Sequence, residues 1–273
     1  MNSKTILITG ASSGIGKDAA RRLADRGHTV YVAARRLEQM LDLTEVGCRP
    51  LMMDLTKEEE IDSVASTILD AHGGLDVLFN NAGYGLYGAV EDIAMEEVHY
   101  QFDVNLFGLA RLTKKFLPSM RERGRGTIIN NSSVGGKIYT PMGAWYHATK
   151  HALEGWSDCL RIELAPFGVN VVVIEPGAIR TEFGEVMAGP MRERSGEGPY
   201  GPMVKKLADL QEREYQDGGG SDPRVVSEAV IHAVESSRPR TRYAVGRYAK
   251  VLPWIRRWFG DRAFDQVLLM MLK

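Results

Sequence analysis

Cysteine is scarce in this chain: Cys48 and Cys159 are the two among 273 residues. Two cysteines cannot build a disulfide scaffold or a cysteine-rich zinc site. The six histidines fall in no HExxH or comparable ligand spacing, so no metal is expected. Net charge is equally scant. The 34 lysines and arginines against 35 aspartates and glutamates leave −1, without the basic excess of a nucleic-acid binder, so no nucleic-acid partner is expected. No apolar run approaches the roughly 18 residues of a membrane-spanning helix. The apolar stretch of residues 5–9, behind Met1-Asn2-Ser3-Lys4, is too brief for a signal-peptide core. Internal repeats and low-complexity linkers are missing as well. These absences leave a reduced, cytoplasmic, globular protein as the expectation, and 44% hydrophobic with 25% charged residues suits it. A single domain over residues 1–273 is expected, because α/β folds run to about 250 residues as one unit.

Glycine is in excess, with 29 residues, and it punctuates a regular alternation. Strands are predicted over residues 5–9, 29–33, 50–54, 77–80, 127–131, 170–175 and 242–245. Each is a nearly continuous apolar run, as in parallel strands covered on both faces. Helices are predicted over residues 15–26, 57–71, 95–123, 144–165 and 225–236. Such alternation means βαβ units and an α/β fold, a doubly wound (Rossmann) seven-stranded parallel sheet with helices on both faces. Residues 184–223 break the rhythm with Gly189, Pro190, Gly196, Gly198, Pro199, Gly201 and Pro202. A connection of this length reads as a substrate lid or loop insertion, with room for a short helix over residues 205–216. Residues 251–273 mix Trp254, Trp258, Phe259 and Phe264 with Arg256, Arg257 and Arg262. A basic amphipathic tail of this kind can contact a membrane peripherally, close over a pocket, meet a partner subunit or pack on its own domain.

The first strand runs into Thr9-Gly10-Ala11-Ser12-Ser13-Gly14-Ile15-Gly16, and a helix follows at once. Gly10, Gly14 and Gly16 let the backbone turn tightly against a pyrophosphate, and the helix start offers N–H groups and the positive dipole end. Ser12, Ser13 and Ile15 belong to the same turn. The second strand ends in Arg35-Arg36, where an NAD site carries an acid and an NADP site a basic residue. A charge-assisted arginine–phosphate bond is worth about 1.5–3 kcal/mol, so NADP(H) is the expected cofactor.

Further along come Asn81-Ala82-Gly83 after the fourth strand, Ser133 after the fifth, and Tyr146 four residues before Lys150, on one helix face. As an ordered set these resemble the classical short-chain dehydrogenases/reductases, with Asp54, Asn105, Pro176-Gly177 and Thr181 also matching, over residues 4 to about 183. The resemblance implies that Asn105, Ser133, Tyr146 and Lys150 are catalytic. It implies that Asp54 and Leu55 seat an adenine, that Asn81, Ala82 and Gly83 line the cofactor, and that Pro176, Gly177, Ile179 and Thr181 seat the nicotinamide carboxamide. Lys150 would grip the nicotinamide ribose, and Asn105 would hold a water that relays protons to it. A homodimer or homotetramer through the helices at 95–123 and 144–165 is implied too.

The chemistry is arguable from the side chains. Hydride transfer to a carbonyl needs a proton donor at the developing alkoxide, and the reverse reaction needs a base there. An ammonium about 4 Å from a phenol, at an effective dielectric near 20, favours the phenolate by roughly 4 kcal/mol, or about three pKa units. Lys150 is therefore expected to bring Tyr146 toward neutrality, with Ser133 orienting the substrate oxygen. Loops at the strand ends carry Leu86, Tyr139, Met142, Phe183 and Met187, which with Ser133 and Tyr146 form the expected substrate wall. Its apolar character suits a lipophilic ketone or aldehyde and its alcohol. Local stretches look most similar to the 17β-hydroxysteroid and retinol dehydrogenase branch. The expectation is an NADP-dependent oxidoreductase acting on a CH–OH group. A 3-oxoacyl-thioester reductase is the rival enzyme reading, and an NADP-sensing regulatory protein the rival from outside catalysis.

Overall fold

The computed structural model of the chain describes residues 3–181, 183–216 and 219–272, and for residues 183–186 and 213–216 the backbone alone. Alternation within the first strand shows how its layers arise. In β1 (Thr5–Thr9), Ile6 and Ile8 enter one hydrophobic cluster and Leu7 the other, because successive side chains of a strand point to opposite faces. The sheet continues with β2 (Thr29–Ala34), β3 (Arg49–Met52), β4 (Val77–Asn80), β5 (Gly126–Asn131), β6 (Val169–Pro176) and β7 (Arg242–Val245). All seven strands pair in parallel, in the order β3-β2-β1-β4-β5-β6-β7.

The helices are α1 (Gly14–Asp25), α2 (Glu58–His72), α3 (Met95–Phe102), α4 (Leu109–Glu122), α5 (Ala144–Leu164), α6 (Phe183–Ser195), α7 (Gly201–Gln216), α8 (Arg224–Glu235) and α9 (Val251–Met271). Leu23 of α1 and Val226, Val230 and Val234 of α8 cover one sheet face. Ile61 and Ile68 of α2, Leu112 and Phe116 of α4 and Leu160 of α5 cover the other. Fully burying one such side chain contributes about 1.5–3 kcal/mol, so two-sided burial holds the central strands. The chain leaves β1 toward β2 on one side and reaches β4 on the other. That places the topological switch point, and the crevice beyond the carboxyl ends, between β1 and β4.

Most predicted elements form close to their expected limits. The helix expected over residues 95–123 is three pieces: α3, a π-helical turn at Asp103–Gly108, and α4. The third strand stops at Met52, and Asp54 turns to accept bonds from the N–H and Oγ1 of Thr56, at 2.9 and 2.8 Å. A 3-10 run at Leu37–Val46 lies between β2 and β3 where no element was expected. The largest difference is in residues 184–223, which hold two helices, α6 and α7, packed on one another through Met191, Val204 and Ala208. Pro190 reads as a breaker yet lies inside α6. Pro202 sits in the first turn of α7, where a missing N–H is tolerated. The tail is helical as well, kinked at Gly260, whose φ is 77°.

Candidate active site

One cavity of about 730 Å³ runs along the carboxyl ends of the strands. Its first end is built by the β1–α1 turn: Gly10, Ser12, Ser13, Gly14 and Ile15 line it. Gly16 lies beneath them, where a Cβ would come within 2.5 Å of the Gly10 carbonyl oxygen and 2.6 Å of Asn81 Nδ2. Gly10 has φ +66°, and a Cβ there would come within 2.7 Å of Ala82 Cα. The close packing of this turn on the β4 loop is held by hydrogen bonds. Thr9 Oγ1 accepts from the N–H groups of Asn81 and Ala82, both at 3.0 Å, and Asn81 Nδ2 donates to the carbonyls of Thr9 and Gly10 at 3.0 and 3.2 Å. A cradle of backbone and small side chains at a helix N-terminus fits a pyrophosphate.

Arg35 and Arg36 line the cavity just beyond β2. Arg35 donates to the Tyr100 hydroxyl at 2.7 Å, and Arg36 to Ser12 Oγ at 3.3 Å. Asp54 and Leu55 line the same end, with one Asp54 oxygen committed to Thr56. Asn81, Ala82, Gly83, Pro176, Gly177, Ile179 and Thr181 line the middle of the cavity.

Ser133, Tyr146 and Lys150 meet there as well. Helical spacing puts Tyr146 and Lys150 one turn apart near the start of α5. Ser133 caps a 3-10 turn, accepts from the Gly135 N–H at 3.0 Å, and is hydrogen-bonded with the Tyr146 hydroxyl. Lys150 Nζ donates to the Asn131 carbonyl at 2.8 Å and lies 5.9 Å from the Tyr146 ring centre. The expected lowering of the tyrosine by the lysine is not what this arrangement produces. Burial pushes the Tyr146 phenol up to about 12, with the Ser133 contact opposing, and pushes the Lys150 ammonium down to about 8, with the Glu154 carboxylate opposing. Desolvation is the larger influence on each of these enclosed groups, so Tyr146 stands as a protonated hydrogen donor.

Asn105, in the π-helical turn, lies behind the cavity wall. Its Oδ1 accepts from the Tyr84 N–H at 3.1 Å, and its Nδ2 donates to the Tyr84 carbonyl and to Thr149 Oγ1 at 2.9 and 3.1 Å. The side chain thus fixes the β4 loop onto α5. His147 belongs to no motif in the sequence, yet it lines the same cavity. Its Nε2 accepts from the Thr140 N–H at 3.0 Å, and its Nδ1, 2.8 Å from the Gly135 carbonyl, donates there. That pins the turn carrying Ser133, and burial lowers the imidazole pKa.

The far end of the cavity departs most from expectation. Met187 lines it, and the Phe183 side chain lies outside the described residues. Leu86 instead packs with Ile93 and Val98 in a separate core. Met142, at φ 64°, packs under α6 and α7 with Met191, Val204 and Ala208. Tyr139 is held by the tail: its ring meets Phe264 edge to face at 5.3 Å, and its hydroxyl donates to Asp265 at 2.8 Å. The wall is made instead by Leu207, Leu210 and Gln211 of α7, Met191 of α6, and Leu252, Leu268, Met271 and Leu272 of the tail. The only signal for these in the sequence is the i, i+3, i+4 spacing of 207, 210, 211 and of 268, 271, 272, which any helix face shares.

A phosphate-sized cradle and a buried tyrosine acid opening into one cavity are what a dinucleotide-dependent oxidoreductase of the doubly wound class requires. Comparison with known proteins narrows that class. The family model for short chain dehydrogenase matches residues 4–189, and the chain belongs to this family of oxidoreductases. It is 36% identical over 270 residues to the 3-ketodihydrosphingosine reductase of Bacteroides thetaiotaomicron, covering 98% of this chain and 97% of that one. It is 37% identical over 265 residues to estradiol 17-beta-dehydrogenase 1 of Rattus norvegicus, covering 89% and 74%. Among solved structures, the closed form of serine dehydrogenase complexed with NADP+ superposes with a TM-score of 0.77 at 28% identity, covering 90% and 96%.

Proposed function

We propose that this protein is an NADP(H)-dependent oxidoreductase that interconverts a lipophilic ketone or aldehyde and its alcohol. The observation that carries the reading is one cavity with a phosphate cradle and two arginines at one end, a Ser133–Tyr146–Lys150 group in the middle, and an apolar helical wall beyond. Arg35 and Arg36 favour a 2′-phosphate over the bare ribose that an acid would select. The bound nicotinamide supplies hydride. Ser133 and Tyr146 hold the carbonyl oxygen by hydrogen bonds, and Tyr146, kept protonated by burial, gives its proton to that oxygen as negative charge develops there. Lys150, one turn away, sets the local charge and fixes the loop through the Asn131 carbonyl.

Helices α6 and α7 form the lid of this site, and α9 closes the far end. The relatives named for 3-ketodihydrosphingosine and estradiol, which pair a ketone or alcohol with a large apolar body, support a lipophilic substrate. A homodimer or homotetramer through α4 and α5 goes with the reading, since Phe107 beside α4 and Ile162 on α5 are exposed. The test is loss of NADPH absorbance against ketosteroids, retinal, a long-chain 3-keto amine, aromatic ketones and an acetoacetyl thioester. Turnover of the lipophilic ketones, lowered by about 10²–10⁴ in Tyr146→Phe, is the expected result. Turnover of the thioester alone makes the protein an acyl-thioester reductase, and NADPH binding without turnover of any of them makes it a sensor.

A further inference from the structure

Helix α9 has two sides of opposite character. Toward the protein, Phe264 is fully buried against Tyr139, and Leu268, Met271 and Leu272 line the substrate end of the cavity. Away from it, Val251, Trp254 and Trp258, spaced i, i+3, i+7, form one exposed face. Trp254 is 53% exposed, Trp258 69% and Phe259 62%, and the Trp254 and Phe259 rings meet edge to face at 5.6 Å. Past the kink, Leu269 and Met270 are exposed too. Two of the chain's four tryptophans thus lie on the surface of one helix.

The charges around this face say what covers it. Residues 250–272 carry four cations, Lys250, Arg256, Arg257 and Arg262, against two acids, Asp261 and Asp265. Asp261 accepts from Arg256, and Asp265 from Tyr139. A two-fold contact between copies through this face would gather Arg257 and Arg262 of both copies into one interface, like charge near like charge. An anionic lipid surface attracts them, and exposed tryptophan beside apolar side chains is what the boundary between headgroups and acyl chains accommodates. No helix among the described residues is long and apolar enough to cross a membrane, which leaves a helix lying in the interface. The cavity opens on the same helix: Leu210 and Met271 both line it and remain exposed, at 36% and 59%.

We infer that α9 seats the protein on an anionic membrane leaflet, and that the substrate passes from the bilayer into the cavity between Leu210 and Met271. The entry route rests on the lipophilic-substrate reading above; the docking does not. The purified full chain is co-sedimented with vesicles of phosphatidylcholine alone and of phosphatidylcholine mixed with phosphatidylserine. Binding to the anionic vesicles that salt weakens is expected. Each arginine near the surface is worth roughly a fivefold change in affinity, so R257E/R262E loses on the order of thirty-fold or more, and W254A/W258A also binds markedly less. Both variants retain the wild-type thermal unfolding transition, since none of the four side chains is buried. Failure of the wild type to bind either vesicle, or equal binding by wild type and variants, overturns the docking. So does a solution mass that falls to the protomer's in W254A/W258A, which assigns the face to a second copy. The entry route is read by turnover of one lipophilic ketone, in vesicles and in detergent. A wild-type advantage over R257E/R262E confined to vesicles supports it, and equal rates overturn it with the docking intact. No turnover by the wild type in either medium overturns the substrate reading and the entry route together, again leaving the docking to the vesicle result.

Discussion

The two ends of the cavity are built on different principles. At the cofactor end the wall is backbone: a glycine turn locked to the β4 loop by Thr9 and Asn81, at the carboxyl ends of two central strands of the sheet. At the substrate end the wall is the apolar face of three helices, α6, α7 and α9, none of whose described residues enters the two clusters that cover the sheet. The first end can tolerate few residue types, because a Cβ at Gly16 meets a carbonyl oxygen at 2.5 Å. The second requires only that Met191, Leu207, Leu210 and Leu268 be apolar and of suitable size. One end is therefore specified by chemistry at fixed points, and the other by volume.

That contrast is broken most severely at the point where the ends meet. Tyr146→Phe is expected to lower kcat by about 10²–10⁴ while NADPH affinity, measured by quenching of protein fluorescence, stays near the wild-type value. The variant removes the proton and keeps the ring, whose centre lies 5.7 Å from that of Tyr87. A residual rate near that of wild type would place the acid elsewhere.

Next in size is Arg35→Ala. If the arginine selects the 2′-phosphate, the ratio of kcat/KM for NADPH over NADH falls about ten- to a hundred-fold, matching about 1.5–3 kcal/mol for a charge-assisted bond. The Arg35 guanidinium also bonds the Tyr100 hydroxyl, so Tyr100→Phe is the control. An unchanged ratio in Arg35→Ala removes the argument for NADP(H).

The same contrast explains what was legible in the sequence. The glycine turn, Asn81-Ala82-Gly83, Ser133, Tyr146 and Lys150 could be read, because each is required by a local geometry that tolerates few substitutes. All of them line the cavity or, like Gly16, lie directly beneath it. Leu86, Tyr139 and Met142 were misplaced, because an apolar residue in a strand-end loop can face a cavity, a core or a helix, and only long-range packing decides. Helices α6 and α9 close the site from 37 and 105 residues beyond Tyr146, counted to their first residues, Phe183 and Val251. No local pattern carries that information. The electrostatics differ from the expectation for a related reason. The one-turn spacing of Tyr146 and Lys150 is local, whereas the burial that sets both of their pKa shifts depends on everything packed around them.

That burial sets the third expectation. The lowered Lys150 value of about 8 means that the ammonium is half titrated near that pH, predominates below it and is progressively lost above it. If the charge on Lys150 assists proton donation, reductive kcat/KM falls by about tenfold per pH unit above roughly pH 8. Tyr146, pushed up to about 12, contributes no ionisation over the same range. Lys150→Arg, whose guanidinium stays charged, should remove the descending limb at whatever rate it retains. A limb that persists in that variant belongs to another group.

The smallest expected effect tests the substrate end alone. Met187 lies on α6 and lines the cavity, and truncation to alanine removes apolar contact worth about 1 kcal/mol at a partly exposed position. The KM for a bulky lipophilic ketone should rise roughly fivefold, with little change for a small ketone too short to reach α6. NADPH affinity should not move, because the cradle is held by β1, β4 and α1 and makes no use of this helix. If the NADPH KM rises while the two ketones are affected alike, α6 reports on the cofactor, and the division of the cavity into a backbone-built end and a volume-built end fails at this helix. If only the bulky ketone is affected, substrate size is read by elements that the sheet does not position, and exchange of α6 and α7 should change substrate preference without disturbing the hydride chemistry.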